Sequence, residues 1–332
     1  MKTSEGFNQL IKKEKRKKLL KTIGISAVTT FVLFGVGMTA INKRMAVQYK
    51  KAQESANITD MIESPNIIST SQYLSVSGRM TSQLKSERFK NIDGYLVATT
   101  PLEINFGLFG GGYCEFNSPL TTPISKTKDI GVFSRDNGEK VPLFFNPNVK
   151  KSDRHPDAKA THEADSLSNL QKHVAEVAIT FKEPMTYAEI QEKLPKDILI
   201  NWYWLGRASN QLSALEGTKK VIGINANEKG ELDASPLQTQ QSSNWPSSQY
   251  SAFVAAVKKA AETRNYTING VNIYQDALKQ VKKYPTLDKA KFSGVLVSGR
   301  TENLAQLDEA PYVYATNVGL EAEILPYIDP SK

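Results

Sequence analysis

The residues of this chain that could carry chemistry are few and poorly spaced for it. Three histidines, His155, His162 and His173, stand among Asp157, Glu163 and Asp165. Their separations of 7 and 11 positions match no compact metal-ligand pattern, so the stretch reads as a polar linker with no metal site. Cys114 is the single cysteine, which leaves no internal disulfide and no Cys-x-x-Cys pair. Gly110, Gly111 and Gly112 lie in FGLFGGGYC, but no Lys-Ser or Lys-Thr follows them, and the third spaced glycine of a dinucleotide loop is missing. That run is expected to be a flexible or tightly turned loop packed down by Phe106, Phe109 and Tyr113. Gly-x-Ser-x-Gly and His-Glu-x-x-His are absent as well, and the adjacent Asp308 and Glu309 read as a solvated helix end. These residues point away from an enzyme, and no cofactor is called for.

One aromatic cluster stands out, in ILINWYWL (198–205). Alternation predicts a strand that places Ile198, Ile200, Trp202 and Trp204 on one face. Trp202, Tyr203 and Trp204 are therefore candidates for core packing or, alternatively, for a recognition surface.

The element that must position everything else is Thr22 to Asn42, twenty-one residues without a charge between Lys21 and Lys43. A helix of that length covers roughly 30 Å, the thickness of a bilayer's hydrocarbon core. Small and hydroxyl residues such as Gly24, Gly35, Gly37, Thr29 and Thr30 suit a lipid-embedded helix. Residues 1–21 carry eight bases against two acids, and this bias predicts a cytoplasmic N-terminus, a single pass and an extracellular C-terminus. A cleaved signal peptide is the competing reading. Its core would be shorter, and Met38, Thr39 and Ala40 make no small-x-small site. The tail supplies six of the chain's eight net positive charges, so the basic pI reflects an anchor and argues against direct nucleic-acid binding. Lys12, Lys13, Lys15, Arg16, Lys17 and Lys18 form a collar for anionic lipid, the bilayer being the first expected partner. Phe7, Leu10 and Ile11 beside them are a candidate docking face for a cytoplasmic partner.

Beyond the span, 43–65 is expected as a polar helical stalk ending before Pro65. Residues 66–150 read as a strand-rich lobe, with strands at Ser71–Ser77, Tyr95–Ile104, Gly131–Ser134 and Val141–Phe145. Residues 151–172 are the polar linker, and 173–325 a C-terminal α/β domain. In that domain Val174–Phe181 and Ile198–Leu205 flank a short helix capped by Thr186 and Glu189. Further on, helices begin at Ser248 and Asn272, Thr301 caps a short helix, and strands fall at Phe292–Val297 and Tyr312–Val318. The predicted fold class is a single-pass membrane protein with an α/β (α+β) extracytoplasmic region, built on two βαβ units in a ferredoxin-like arrangement.

The block KKEKRKKLLKT running into the apolar span, the segment around AEVAITFKEPMTYAEIQEKLPKDILINWYWLG and the later SGVLVSGRTENLAQL together resemble the sigma factor regulator family of Gram-positive bacteria. The resemblance implies a membrane-bound anti-sigma factor that holds an extracytoplasmic-function sigma factor until an envelope signal arrives, with a second small membrane protein as a possible further partner. The tail of residues 1–21 is shorter than the cytoplasmic segment of some members. The His-x-x-x-Cys-x-x-Cys zinc motif of another anti-sigma class is missing. The alternative is an extracytoplasmic binding or envelope-structural module with no direct role in transcription.

Overall fold

The computed structural model describes residues 2–75, 78, 80–111, 121–124, 131–134, 137–147, 160–209, 215–216, 221–232 and 248–332. Cys114, Tyr113, Gly112, His155 and Asp157 lie outside them.

Helix α1 runs unbroken from Lys2 to Ile62, 61 residues, or roughly 90 Å at the rise of an α-helix. Within its apolar run the hydroxyls of Thr22, Thr29 and Thr39 donate to the carbonyls four residues back, so these polar groups are satisfied inside the helix. It is the one helix among the described residues long and apolar enough to cross a membrane. The run is bare along almost its whole length, with only Met38 and Ile41 half-buried.

From Gln48 onward the helix changes character. Gln48, Ala52, Ala56, Ile58, Thr59 and Ile62 are buried, so residues 43–65, expected as a polar helical stalk, are helical to Ile62 and packed along one side. Their heptad-like small and apolar positions form a packing face. It meets strands β1 (Ile67–Ser69), β2 (Tyr73–Ser75), β3 (Thr81–Ile92), β4 (Tyr95–Gly107) and β5 (Gly110–Gly111), which make one antiparallel sheet. Ala52 and Ala56 let α1 approach closely over Leu84, Leu102, Ile104 and Phe106, with Met45 and Tyr49 at the edge. Strands β3 and β4 are joined by Asp93-Gly94, both at positive φ, as a two-residue type I′ connection requires.

Strand β3 was not expected. Its buried positions are Leu84, Ser86, Arg88, Lys90 and Ile92, an alternation in which the inward face is largely polar or basic, so no apolar period announces it. The loop over the glycines also departs from expectation. Phe106 is buried, but Phe109 is 93% exposed at the hairpin tip instead of packing down. Gly111 is required there, because a Cβ would sit 2.7 Å from the Asn105 carbonyl.

A small hairpin, β6 (Thr121–Ile124) with β7 (Gly131–Ser134), leads to β8 (Phe144–Phe145), shorter than the predicted strand from Val141. The chain continues through β9 (His173–Thr186), α2 (Tyr187–Lys193), β10 (Leu199–Trp204), β11 (Leu215–Glu216, paired with β8), β12 (Gly223–Asn225), α3 (Gln249–Thr263), the β13–β14 hairpin (Thr267–Ile268, Val271–Asn272), α4 (Ile273–Lys283), β15 (Lys291–Arg300), α5 (Thr301–Leu304) and β16 (Val313–Glu323), of which β9, β10, β12, β15 and β16 form the second sheet. The order β12-β10-β15-β9-β16 is antiparallel at every step. The strands flanking each helix are therefore not neighbours: β15 lies between β9 and β10, and β9 between β15 and β16. Adjacent parallel strands, the usual product of a βαβ pattern, do not form.

Local signals place the helices. Thr186 and Glu189 form a reciprocal capping box, and the Asn272 side chain accepts from Tyr274 and Gln275 N–H. Thr301 does not cap; its hydroxyl donates to the Leu170 carbonyl at 2.5 Å, tying α5 to the segment before β9.

A bulge at Asn201 changes the phase of β10. Ile198, Ile200, Tyr203 and Leu205 face the large core under α3 and α4, whereas Trp202 and Trp204 face the other way. The expected single face of Ile198, Ile200, Trp202 and Trp204 is thus split, because one extra residue reverses every later side chain.

Candidate functional site

The end of α1 meets both sheets at a buried polar junction. β3 aims two bases inward. Arg88 donates through Nη2 to Asp60 Oδ1 of α1 at 2.5 Å, and Lys90 pairs with Glu176 of β9, which is fully buried. Burial of Asp60 raises its pKa above the ordinary carboxylate value, outweighing the opposing pull of Arg88. Glu176 also accepts from Asn66 Nδ2 at 3.1 Å and from Leu320 N–H at 3.3 Å. Gly319 makes this possible, since a Cβ there would lie 2.6 Å from the Glu176 carboxylate.

Asn66 follows the helix in the left-handed region, φ 53°, a conformation asparagine tolerates. Its N–H donates to Asn225 Oδ1 and its amide to the Asn91 carbonyl, each at 3.0 Å. Asn225 returns a bond to the Ser64 carbonyl, and Asn201 at the bulge donates to Asn91. A second clamp comes from the C-cap of α3. Arg264 donates to Glu63 at 2.5 Å, to the Ser55 carbonyl at 2.7 Å and to Thr59 Oγ1 at 3.0 Å. Ile58, Met61 and Ile62 enter the core of the second sheet alongside. The last two turns of α1, with Glu63 just beyond them, are therefore held from two sides by charge-assisted hydrogen bonds.

Beside the junction is a cavity of about 120 Å³ bordered by Arg88, Lys90, Thr100, Lys140, Phe144 and Val221. Arg88 Nε and Thr100 Oγ1 are buried there without hydrogen-bond partners among the described residues. Lys140 is engaged by Glu163 and donates to the Val318 carbonyl at 2.6 Å.

The tail residues named from the sequence lie far from this junction. Phe7, Leu10 and Ile11 are exposed on the first turns of α1, spaced to share a face, and Lys12, Lys13, Lys15, Arg16, Lys17 and Lys18 follow, all exposed. Trp202 and Trp204 are buried against Phe144, at ring-centroid distances of 5.8 Å and 4.7 Å. Tyr203 points to the opposite layer, where its hydroxyl donates to the Gly230 carbonyl at 2.8 Å. Burial raises its pKa far above the ordinary tyrosine value. Gly223 leaves room for the Trp202 ring, which a Cβ would overlap at 2.3 Å. His162 faces Asp308 at 3.0 Å and His173 the Gln171 carbonyl at 2.7 Å. No cluster of three or more metal-ligating side chains occurs among the described residues.

Sequence reasoning missed Asp60, Glu63, Arg88, Lys90, Glu176 and Arg264. The available signal was the alternation of Leu84, Ser86, Arg88, Lys90 and Ile92, whose bases fall on the phase of the two apolar residues.

Fold and junction together define a class: a protein in which one long helix, with an apolar run in its first two thirds, is built at its far end into an antiparallel α/β fold. The chain belongs to the sigma factor regulator family, with residues 8–97 matching its N-terminal model and 167–320 its C-terminal model. No curated protein and no solved structure matches the chain.

Proposed function

We propose that this protein is a membrane-bound, anti-sigma-factor-like regulator that senses an envelope condition outside the cell and restrains an extracytoplasmic-function sigma factor inside. The observation that carries the reading is the continuity of α1. One helix joins the exposed face of Phe7, Leu10 and Ile11 to the Arg88–Asp60 and Arg264–Glu63 clamps. A change in the outer fold thus has a rigid path to the tail. The basic excess before the uncharged run supports a cytoplasmic N-terminus and a single pass. The split strand–helix–strand order of the second sheet supports a ferredoxin-like arrangement for the C-terminal domain.

A stable interface, about 1,000 Å² in total, formed through the tail of residues 1–21 would draw on its apolar face. Attachment to the inner leaflet raises its effective concentration for a partner held nearby, whether the sigma factor itself or a second small membrane protein. Lys12 to Lys18 add complementarity to an acidic surface while sharing their charge with anionic lipid.

Replacing Phe7, Leu10 and Ile11 together with Ser tests this. The expected result is release of the sigma factor and raised target transcription, with membrane insertion intact. Unchanged transcription and unchanged co-purification would remove direct sequestration and leave an outer binding module without a role in transcription.

A further inference from the structure

The tip between β4 and β5 lies beside the outer end of the apolar run. Arg44 Nε donates to the Leu108 carbonyl at 3.4 Å. Arg44 stands two residues after Asn42, the last residue of that run, about 3 Å further along the helix axis. The Leu108 N–H is in turn held by the Met80 carbonyl at 2.9 Å. Phe109 projects from this tip 93% exposed, and Met80 beside it is 51% exposed. From Ile104 to Cys114 the sequence carries no charge.

The rest of the first sheet runs away from this level in register with the helix. Tyr49 meets Phe106, Asp60 meets Arg88, and Asn66, just past the helix end, meets Asn91. The Asp93-Gly94 turn closes the far end of β3, about 36 Å from Thr81 at the rise of a strand. The C-terminal segment also sits at that far end, where Tyr95 Oη donates to the Ile328 carbonyl at 2.6 Å and Ser331 N–H to the Asp93 carbonyl at 2.9 Å.

We infer that the Leu108–Phe109 tip is a lipid-seated wedge: Phe109, with Met80 beside it, enters the outer leaflet at the boundary of headgroups and acyl chains of the bilayer that α1 crosses. The inference rests on the membrane-spanning reading of α1 and adds a second point of contact to it. An aromatic ring at the depth of the span's end occupies the zone where aromatic side chains gather. Arg44 stays at the interface and binds the tip's carbonyl. With two contacts, the outer fold keeps a fixed height and a fixed rotation against the membrane surface.

The test uses the full-length chain with Cys114→Ser, carrying Phe109→Cys or Tyr327→Cys labelled with a polarity-sensitive dye, in vesicles of phosphatidylglycerol and phosphatidylethanolamine. Tyr327 is 78% exposed and belongs to the far end. The dye at position 109 is expected to be blue-shifted, quenched by brominated acyl chains and shielded from aqueous iodide, and the dye at 327 to behave in the opposite way. Phe109→Trp repeats the measurement without a label, through quenching by brominated lipid above that of the unsubstituted chain. Vesicle flotation is scored separately. Protein that floats while positions 109 and 327 are equally open to iodide would overturn the wedge and leave the anchor standing, whereas protein that fails to float would overturn the anchor and the wedge with it.

Discussion

At the scale of single residues, the buried polar groups decide more than the aromatic ones. Asp93 sits in the left-handed region, φ 52°, with its N–H donating to Ser298 Oγ at 2.9 Å. Burial pushes its carboxyl up to about 6, opposed by the Lys332 backbone and the Arg300 charge. The folded chain therefore keeps this proton at a pH where the unfolded chain has lost it. Stability from this group is complete below the ordinary carboxylate value and is lost as pH rises through about 6. Asn tolerates the same backbone, so Asp93→Asn should flatten the fall in melting temperature across that window, and an unaltered pH profile would refute the assignment. The run of aromatics was legible from sequence, and Trp202, Tyr203 and Trp204 are each buried. Their partition between two layers was not legible, because a bulge at Asn201 depends on pairing with β15, about a hundred residues later in the chain.

At the scale of elements, the helices announced themselves and the most consequential strand did not. Thr186 with Glu189, and Asn272, fix α2 and α4 through interactions spanning three residues, which a sequence displays directly. The inward Arg88 and Lys90 of β3 are tolerated only because Asp60 and Glu176 arrive from elements 28 and 86 residues away, and no local pattern encodes that. This makes the junction sensitive to losing one partner. Arg88→Met alone should cost about 3–5 kcal/mol, because it leaves Asp60 buried and uncompensated, whereas Arg88→Met with Asp60→Leu should recover much of the loss. Denaturant unfolding of the two single variants and the double variant measures the coupling. Additive losses would show that the pair is not a stabilising unit.

At the scale of the whole molecule, the boundary placed at 151–172 separates the chain in sequence more than in space. Lys90 to Glu176, Asn66 to Asn225 and Asn91 to Asn201 stitch the first sheet to the second, and Ile58, Met61 and Ile62 of α1 complete the core of the second. A fragment starting at residue 160 would bury Glu176 without Lys90 and leave that part of the core open. It should melt well below a fragment starting at residue 43, or fail to fold. Equal melting temperatures would show that the C-terminal region is autonomous.

The unbroken course of α1 through residues 22–42 has one more consequence, which concerns angle. A helix clamped at Asp60 and Glu63 fixes the azimuth of Phe7, Leu10 and Ile11 about the helix axis as firmly as their height. Each residue inserted after Thr30 would turn that face by about 100° and advance it by about 1.5 Å, while seven would return it to within about 20° of its starting direction. If the tail is read by its facing, transcriptional output should oscillate with insertion length, recovering near seven. A monotonic decline would mean that only distance is sensed, and the helix would then be acting as a rod instead of a shaft.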